Sequence, residues 1–190
     1  MRILIVYATR EGQTRRIAMR LADELRAAGR GVDIQDAGSI GAVTWSKYST
    51  ACLAASVHAG HHEPEMVRFV KQHRADLERV AASFVSVTLS EAGAEDPKRS
   101  EAERLQAAAD VQRMIDDFVK ETGWKPAHTL PVAGALNYSK YNFFIRFVMK
   151  RIARKQGAPI DTSRDYEFTN WANVAQLAHS LCADGHGHVV

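Results

Sequence analysis

A doubly wound α/β fold built on a five-stranded parallel sheet is the architecture this sequence predicts, and three features point to it. Strand-like and helix-like segments alternate along the chain, the first strand is apolar throughout, and the helices carry one apolar stripe each. Right-handed crossovers leave few arrangements for five such units. One stretch, about residues 137–165, breaks the alternation and reads as an insert before the last helix. The 190 residues are read as a single domain, 1–190, large enough to fold without disulfides or a structural metal.

The run Arg2-Ile-Leu-Ile-Val-Tyr-Ala8 is short and rich in β-branched residues, as a strand buried on both faces should be. A polar loop follows from Thr9 to Thr14. Ile17, Ala18, Leu21, Ala22, Leu25 and Ala28 then recur at helical spacing, with Gly29 as a stop. Gly31 to Asp36 is a second strand, and Thr50 to Val57 a third with fewer β-branched residues. Pro64 stands where a first helical turn tolerates it, ahead of Met66, Val67, Val70 and Leu77. Ser83 to Leu89 is a fourth strand, followed by a polar loop to Arg99. Ser100 and Glu103 form a capping-box pattern for a helix whose apolar face is read as Leu105, Ala108, Ile115, Phe118 and Val119. Leu130 to Leu136 is a fifth strand. Trp171, Val174, Ala175, Ala178, Leu181 and Cys182 mark the last helix, and the Gly-His-Gly-His tail at 185–188 reads as frayed.

Composition narrows the class. Hydrophobic residues make up 46% and charged residues 25%, which excludes a largely disordered chain. No apolar run reaches the roughly 18 residues of a membrane span, and the start of the chain does not read as a signal peptide. Cys52 and Cys182, far apart in apolar surroundings, suit a reducing compartment. The net charge of +3 is unevenly spread. From Thr122 to Ile160 there is no acidic residue, whereas Lys125, Lys140, Arg146, Lys150, Arg151, Arg154 and Lys155 are basic. The rest of the chain holds 18 basic and 22 acidic residues, so the positive charge is a local patch suited to an anionic partner or to a solvated helix face.

Ligands of open parallel sheets bind beyond the carboxyl ends of the strands. The first such loop is Thr9-Arg-Glu-Gly-Gln-Thr14, which lacks both GxGxxG and the lysine-bearing GxxxxGK[ST]. It offers two threonine hydroxyls, a glycine and the start of a helix, parts that can surround one terminal phosphate. An ordinary polar loop with a cap has the same composition, so the pattern alone leaves both readings open.

The opening Ile-Leu-Ile-Val-Tyr-Ala-Thr-Arg-Glu-Gly-Gln-Thr resembles the first strand and phosphate loop of flavodoxins. More narrowly, the chain resembles the flavodoxin-like, quinone-dependent protoporphyrinogen dehydrogenases. Ala54-Ala-Ser-Val-His-Ala-Gly-His61, Phe69-Val-Lys-Gln-His73, Ser86-Val-Thr-Leu89, Val132-Ala-Gly-Ala-Leu136 and Phe168-Thr-Asn-Trp171 follow in that family's order. The resemblance implies a flavodoxin-like fold and FMN, with the phosphate on Thr9, Arg10, Glu11, Gly12, Gln13 and Thr14. It implies that Ser56, Val57, His58, Ala59, Gly60 and His61 on one side, and Ser86, Val87, Thr88, Leu89 and Ser90 on the other, flank the isoalloxazine ring. It also implies oxidation of protoporphyrinogen IX, in heme biosynthesis, by a membrane quinone such as menaquinone or ubiquinone. The chain departs from the family pattern at Thr88 and at Ser90-Glu-Ala-Gly93, and places acidic Glu91, Glu95 and Asp96 near the expected ring. No general base is identified; His58 is the only candidate considered.

Treated as a helix, Tyr141 to Lys155 gathers Tyr141, Phe144, Ile145, Val148, Met149 and Ile152 on one arc, while Phe143 and Phe147 fall among the basic residues. Core packing explains the arc. The outlying phenylalanines fit an interfacial helix on an anionic membrane, or a face that meets the substrate's carboxylates. Lys140, Phe143, Arg146, Phe147, Lys150, Arg151 and Arg154 are therefore the candidate substrate or membrane face, and the expected location is cytoplasmic, against the inner face of the cell membrane. His58, His61, His62 and Glu63 are close in sequence but lack a second group at zinc spacing, so no metal is expected. An electron-transfer flavodoxin and an NAD(P)H:quinone reductase remain as rivals. A nucleic-acid-binding module is set aside because no binding motif accompanies the basic patch.

Overall fold

The computed structural model describes residues 2–136, 161 and 163–184. Strand β1 (Arg2–Ala8) leads through helix α1 (Gln13–Ala27) to β2 (Gly31–Asp36). A short 3-10 turn at Trp45–Lys47 opens β3 (Tyr48–His58), which pairs with the two-residue β4 (His61–His62). Helix α2 (Pro64–Leu77), β5 (Ala81–Thr88), α3 (Leu89–Glu95) and α4 (Glu101–Thr122) follow. The described chain ends with β6 (His128–Ala133), β7 (Ala135–Leu136), β8 (Tyr166–Glu167) and α5 (Trp171–Asp184). The parallel sheet has the order β2-β1-β3-β5-β6, the doubly wound topology expected, with its switch point between β1 and β3.

Alternation along β1 divides the core between two helical layers. Ile3 and Ile5 face α1 and α5, packing with Ile17, Leu21, Leu25, Val174 and Leu181. Leu4, Val6 and Ala8 face the other way, toward Met66 and Val70 of α2, Phe118 of α4, and Trp124. Both faces of the strand are therefore apolar, as its sequence requires. Phe84 stacks on Phe118 with ring centroids 4.3 Å apart and meets Trp124 edge-on at 6.4 Å.

The helix boundaries follow local chemistry. Gly29, with φ of 77°, ends the α1 region where the sequence places a stop. Ser100 and Glu103 form the full capping box of α4, since the Ser100 hydroxyl accepts from Glu103 N and the Glu103 carboxylate accepts from Ser100 N.

Several expectations need correction. The segment read as a polar loop from Ser90 to Arg99 contains α3, begun by the Thr88 hydroxyl accepting from Ser90 N at 3.2 Å. Leu89 accordingly opens a helix instead of closing β5. The buried face of α4 is Ala107, Val111, Met114, Ile115, Phe118 and Thr122; Leu105 is 64% exposed and Ala108 is also exposed. The helix's first two turns run past the edge of the core, so apolar periodicity there does not report burial. The fifth strand breaks at Gly134: β6 joins the main sheet, and Ala135–Leu136 turns away to pair antiparallel with Tyr166–Glu167. Pro131, which has no N–H to donate, is accommodated because β6 is an edge strand. The insert helix proposed for 141–155 and the tail at 185–188 lie outside the described residues.

Two substitutions test this packing. Phe118→Ala should cost about 3–5 kcal/mol in urea unfolding, because it removes a buried ring from a stacked cluster. Ser100→Ala should cost about 1 kcal/mol, leaving an N-terminal N–H without its acceptor.

Candidate functional site

The carboxyl ends of β1, β3 and β5 lie side by side, so the three loops that leave them meet in one cleft. It encloses about 290 Å³, close to the lower end of the range for cofactor sites, about 300–1,000 Å³.

The first wall is the loop between β1 and α1. Gly12, with φ of 94°, takes the left-handed conformation and donates its N–H to Thr9 Oγ1 at 3.0 Å, which folds the loop back toward the helix start. No side chain caps α1, and its first turn holds no acidic residue. The positive end of this helix is thus open to an anion. Thr9, Glu11, Gln13 and Thr14 line the cleft. Gln13 is held from behind, its amide donating to Glu167 Oε1 and Thr169 Oγ1, each at 2.8 Å. Thr14 Oγ1 is fully buried and has no hydrogen-bond partner among the described residues. Buried hydroxyls are rarely left so, because the missing bond costs about 1–3 kcal/mol. Because Thr14 also lines the cleft, a phosphate-bearing cofactor bound there would offer an acceptor to this hydroxyl, and the residues present fit such a group.

The second wall is the hairpin joining β3 to β4. His58 pairs with His61 across a two-residue turn, Ala59-Gly60, in which both residues have positive φ, 50° and 84°. That is the geometry of a type I′ turn, for which alanine is an unusual first residue. Ser56, Val57, His58, Ala59 and Gly60 line the cleft. The third wall is the end of β5 with the start of α3, where Val87, Thr88, Leu89 and Ser90 face the cavity.

Four of the residues singled out from the sequence lie elsewhere. Arg10 leans out of the cleft to pair with Glu63 Oε2 at 2.8 Å. Gly12 acts through its backbone, and His61 is exposed on β4. Ser86 points into the core, where its hydroxyl lies 2.9 Å from His62 Nε2. Burial lowers His62 to about 4, so it is a neutral ring packed edge-on against Phe84 and Phe118. His62 is thereby separated from His58, whose ring nitrogens face Glu63 at 2.6 Å and Glu11 at 3.0 Å. Those two hydrogen-bonded carboxylates outweigh desolvation and raise His58 to about 9. A ring that is already protonated at neutral pH does not serve as a base, and His58 is withdrawn as that candidate.

The structure adds a wall that the sequence did not reveal. Asp110, Arg113 and Met114 of α4 close one side of the cleft, with Arg113 donating to Asp110 at 3.0 Å. Gly134 and Ala135, at the break after β6, complete it. The break was not anticipated, and its signal in the sequence is the glycine inside the strand-like run from Leu130 to Leu136. In the acidic third segment, burial and then the neighbouring Glu95 push the Glu91 carboxyl above its usual range, and burial does the same to Glu95. Lys140, Phe143, Arg146, Phe147, Lys150, Arg151 and Arg154 lie outside the described residues.

Comparison with known proteins bears on the family and the fold. A family model described as a flavodoxin domain matches residues 4–163. The chain is 32% identical over 181 residues to a protoporphyrinogen IX dehydrogenase (quinone) of Escherichia coli, covering 95% of this chain and 94% of the relative. It is 30% identical over 185 residues to the protein of the same name from Leishmania major, covering 95% and 74%. Among solved structures, a Streptococcus pneumoniae flavodoxin superposes with a TM-score of 0.51 at 18% identity, over 96% of this chain and 99% of that one, a likeness of fold. A cleft built from three strand ends, an open helix start and an unmatched buried hydroxyl is thus found in a chain that belongs to the flavodoxin family, within the group of the protoporphyrinogen IX dehydrogenases, as an FMN-dependent oxidoreductase.

Proposed function

We propose that this protein oxidises protoporphyrinogen IX to protoporphyrin IX with a quinone as electron acceptor. The reading is supported by the name shared by relatives matching 95% of the chain, and the observation that carries the cofactor site is the buried, unpartnered hydroxyl of Thr14. The overall change removes six electrons and six protons from the porphyrinogen and converts three quinones to three quinols. Bound FMN supplies two-electron chemistry in each of three rounds.

The chain's own residues supply position and electrostatics. Thr14, Thr9 and the first-turn N–H groups of α1 would hold the phosphate. Val57 and Leu89, from opposite walls, would flank the ring, and Thr88 keeps the third wall in shape by capping α3. Arg113 stands at the cleft wall as a cation that can meet a substrate carboxylate. No protein group is assigned to proton abstraction.

A cytoplasmic place against the inner face of the membrane is supported by the acid-free segment from Thr122 to Ile160 and its seven basic side chains. Among the described residues no helix is long and apolar enough to cross a membrane. In this reading a quinone dissolved in lipid is reached from the membrane surface, Lys140, Arg146, Lys150, Arg151 and Arg154 supplying the charge that suits anionic head groups and Phe143 and Phe147 the apolar groups that suit the acyl boundary.

Three measurements test these statements. Thr14→Val should weaken FMN binding by about 10- to 100-fold, the worth of a hydrogen bond to a charged group, yet leave the flavin-free protein equally or more stable because an unmatched hydroxyl is gone. Anaerobic mixing with protoporphyrinogen IX should bleach the flavin absorbance, and menaquinone should restore it. A flavin that stays oxidised rejects the substrate, and steady consumption of NADPH would favour a nicotinamide-dependent reductase. Sedimentation with anionic vesicles at low salt should carry the protein down and fail at high salt; no binding at low salt removes the membrane reading.

A further inference from the structure

The cluster of charged groups behind the first two walls does something that attraction of an anion does not explain. Glu63, only 2% exposed, accepts from Ser56 Oγ at 2.9 Å, from Arg10 Nε at 2.8 Å and from His58 Nδ1 at 2.6 Å. The opposite ring nitrogen of His58 lies 3.0 Å from Glu11 Oε1. Carboxylates only accept, so both ring nitrogens carry protons and the ring is a cation. Arg10 and Glu11 form the tip of the loop after β1, whereas His58 ends β3 and Glu63 precedes α2. Two ion pairs therefore tie one wall of the cleft to the other. The two cations and two anions balance in formal charge, so the cluster adds no net charge to the cleft.

We propose that His58 is a positioning residue, a protonation-dependent clasp whose cationic ring bridges Glu11 and Glu63 and holds residues 9–14 in their phosphate-binding shape. The proposal rests on the FMN reading above. Fixing the loop in advance removes part of the ordering entropy that phosphate binding otherwise carries. Glu63 can serve as the anchor because burial, which alone raises its carboxyl, is overcome by His58, Arg10 and Ser56, and the group stays below its usual range. The charged groups around the ring are Glu11 on the first loop, Glu63 before α2, Arg10 on the far side of Glu63, Glu65 acting on Arg10, and the Asp110–Arg113 pair on α4 across the cleft. Because His58 is raised from 6.5 to about 9, the clasp's contribution is complete below about pH 6.5 and is lost as pH rises through about 9.

The test titrates flavin-free protein with FMN and with riboflavin, which lacks the phosphate, from about pH 7 to about pH 10, reading flavin fluorescence. For the parent chain, the preference for FMN over riboflavin should fall about tenfold across this range. His58→Gln should lower that preference about tenfold at about pH 7 and abolish the pH step. His58→Arg, a permanent cation with several donors, should restore the preference and keep it flat with pH. Glu11→Gln should move the step toward neutral pH, since one of the two carboxylates holding the ring proton is gone. The proposal is overturned if His58→Gln keeps the parent's preference and profile, or if FMN and riboflavin weaken in equal ratio. Should His58→Gln fail to fold by circular dichroism, an unshifted step in Glu11→Gln overturns it instead. A parent chain that binds neither flavin defeats the FMN reading itself, a result distinguishable from loss of the pH step alone.

Discussion

Parallel pairing of β3 with β1 on one side and β5 on the other decides where the loops of the site end. The registers run Ala8 opposite Ala55 and Ser56 opposite Val87, so the three strands finish within a residue or two of each other. A slip of one residue would turn Ile5, Cys52 and Val85 out of the layer they share with α1 and α5. Burial on both faces thus forbids the slip, and the same constraint sets three loops around one cleft. Small residues in β3 (Ala51, Cys52, Ala54 and Ala55, all fully buried) let the helices of both layers approach the middle of the sheet.

That economy explains what the sequence revealed and what it concealed. β1 was legible because its six apolar residues have no polar interruption, and α1 because Ile17, Ala18, Leu21, Ala22 and Leu25 are buried as its stripe predicts and Gly29 stops it, although Ala28, counted in that stripe, is an exposed cap residue. β3 was harder: a strand of alanines carries little β-propensity, and its true length, Tyr48–His58, reflects pairing on both sides. α3 was missed because seven residues with a glycine give no periodicity, and the signal that starts it is one threonine hydroxyl. The outward Leu105 shows a different failure, since a helix that overhangs the core keeps its pattern without a partner.

The loops of the site were visible as positions, and their roles became visible only through contacts across the chain. Thr9 and Thr14 look alike in the sequence, but one hydroxyl folds the loop and the other is left facing the cleft without a partner. His58, His61, His62 and Glu63 suggested a cluster, and the hairpin separates the three rings: one joins two carboxylates, Glu63 among them, one is exposed, and one is neutral among phenylalanines. Asp110 and Arg113 could not be anticipated, because a pair three residues apart on a helix is usually a solvated surface feature.

Pro131 has a further consequence for the sheet as a whole. Among the described residues β6 is the outermost strand on its side, the place where a neighbouring chain could dock backbone to backbone and begin an intermolecular ribbon. Such a ribbon needs an uninterrupted row of amide donors, and the imino ring leaves a gap in the middle of the six-residue strand. The residue that makes the strand awkward to recognise therefore also discourages fibrous self-association.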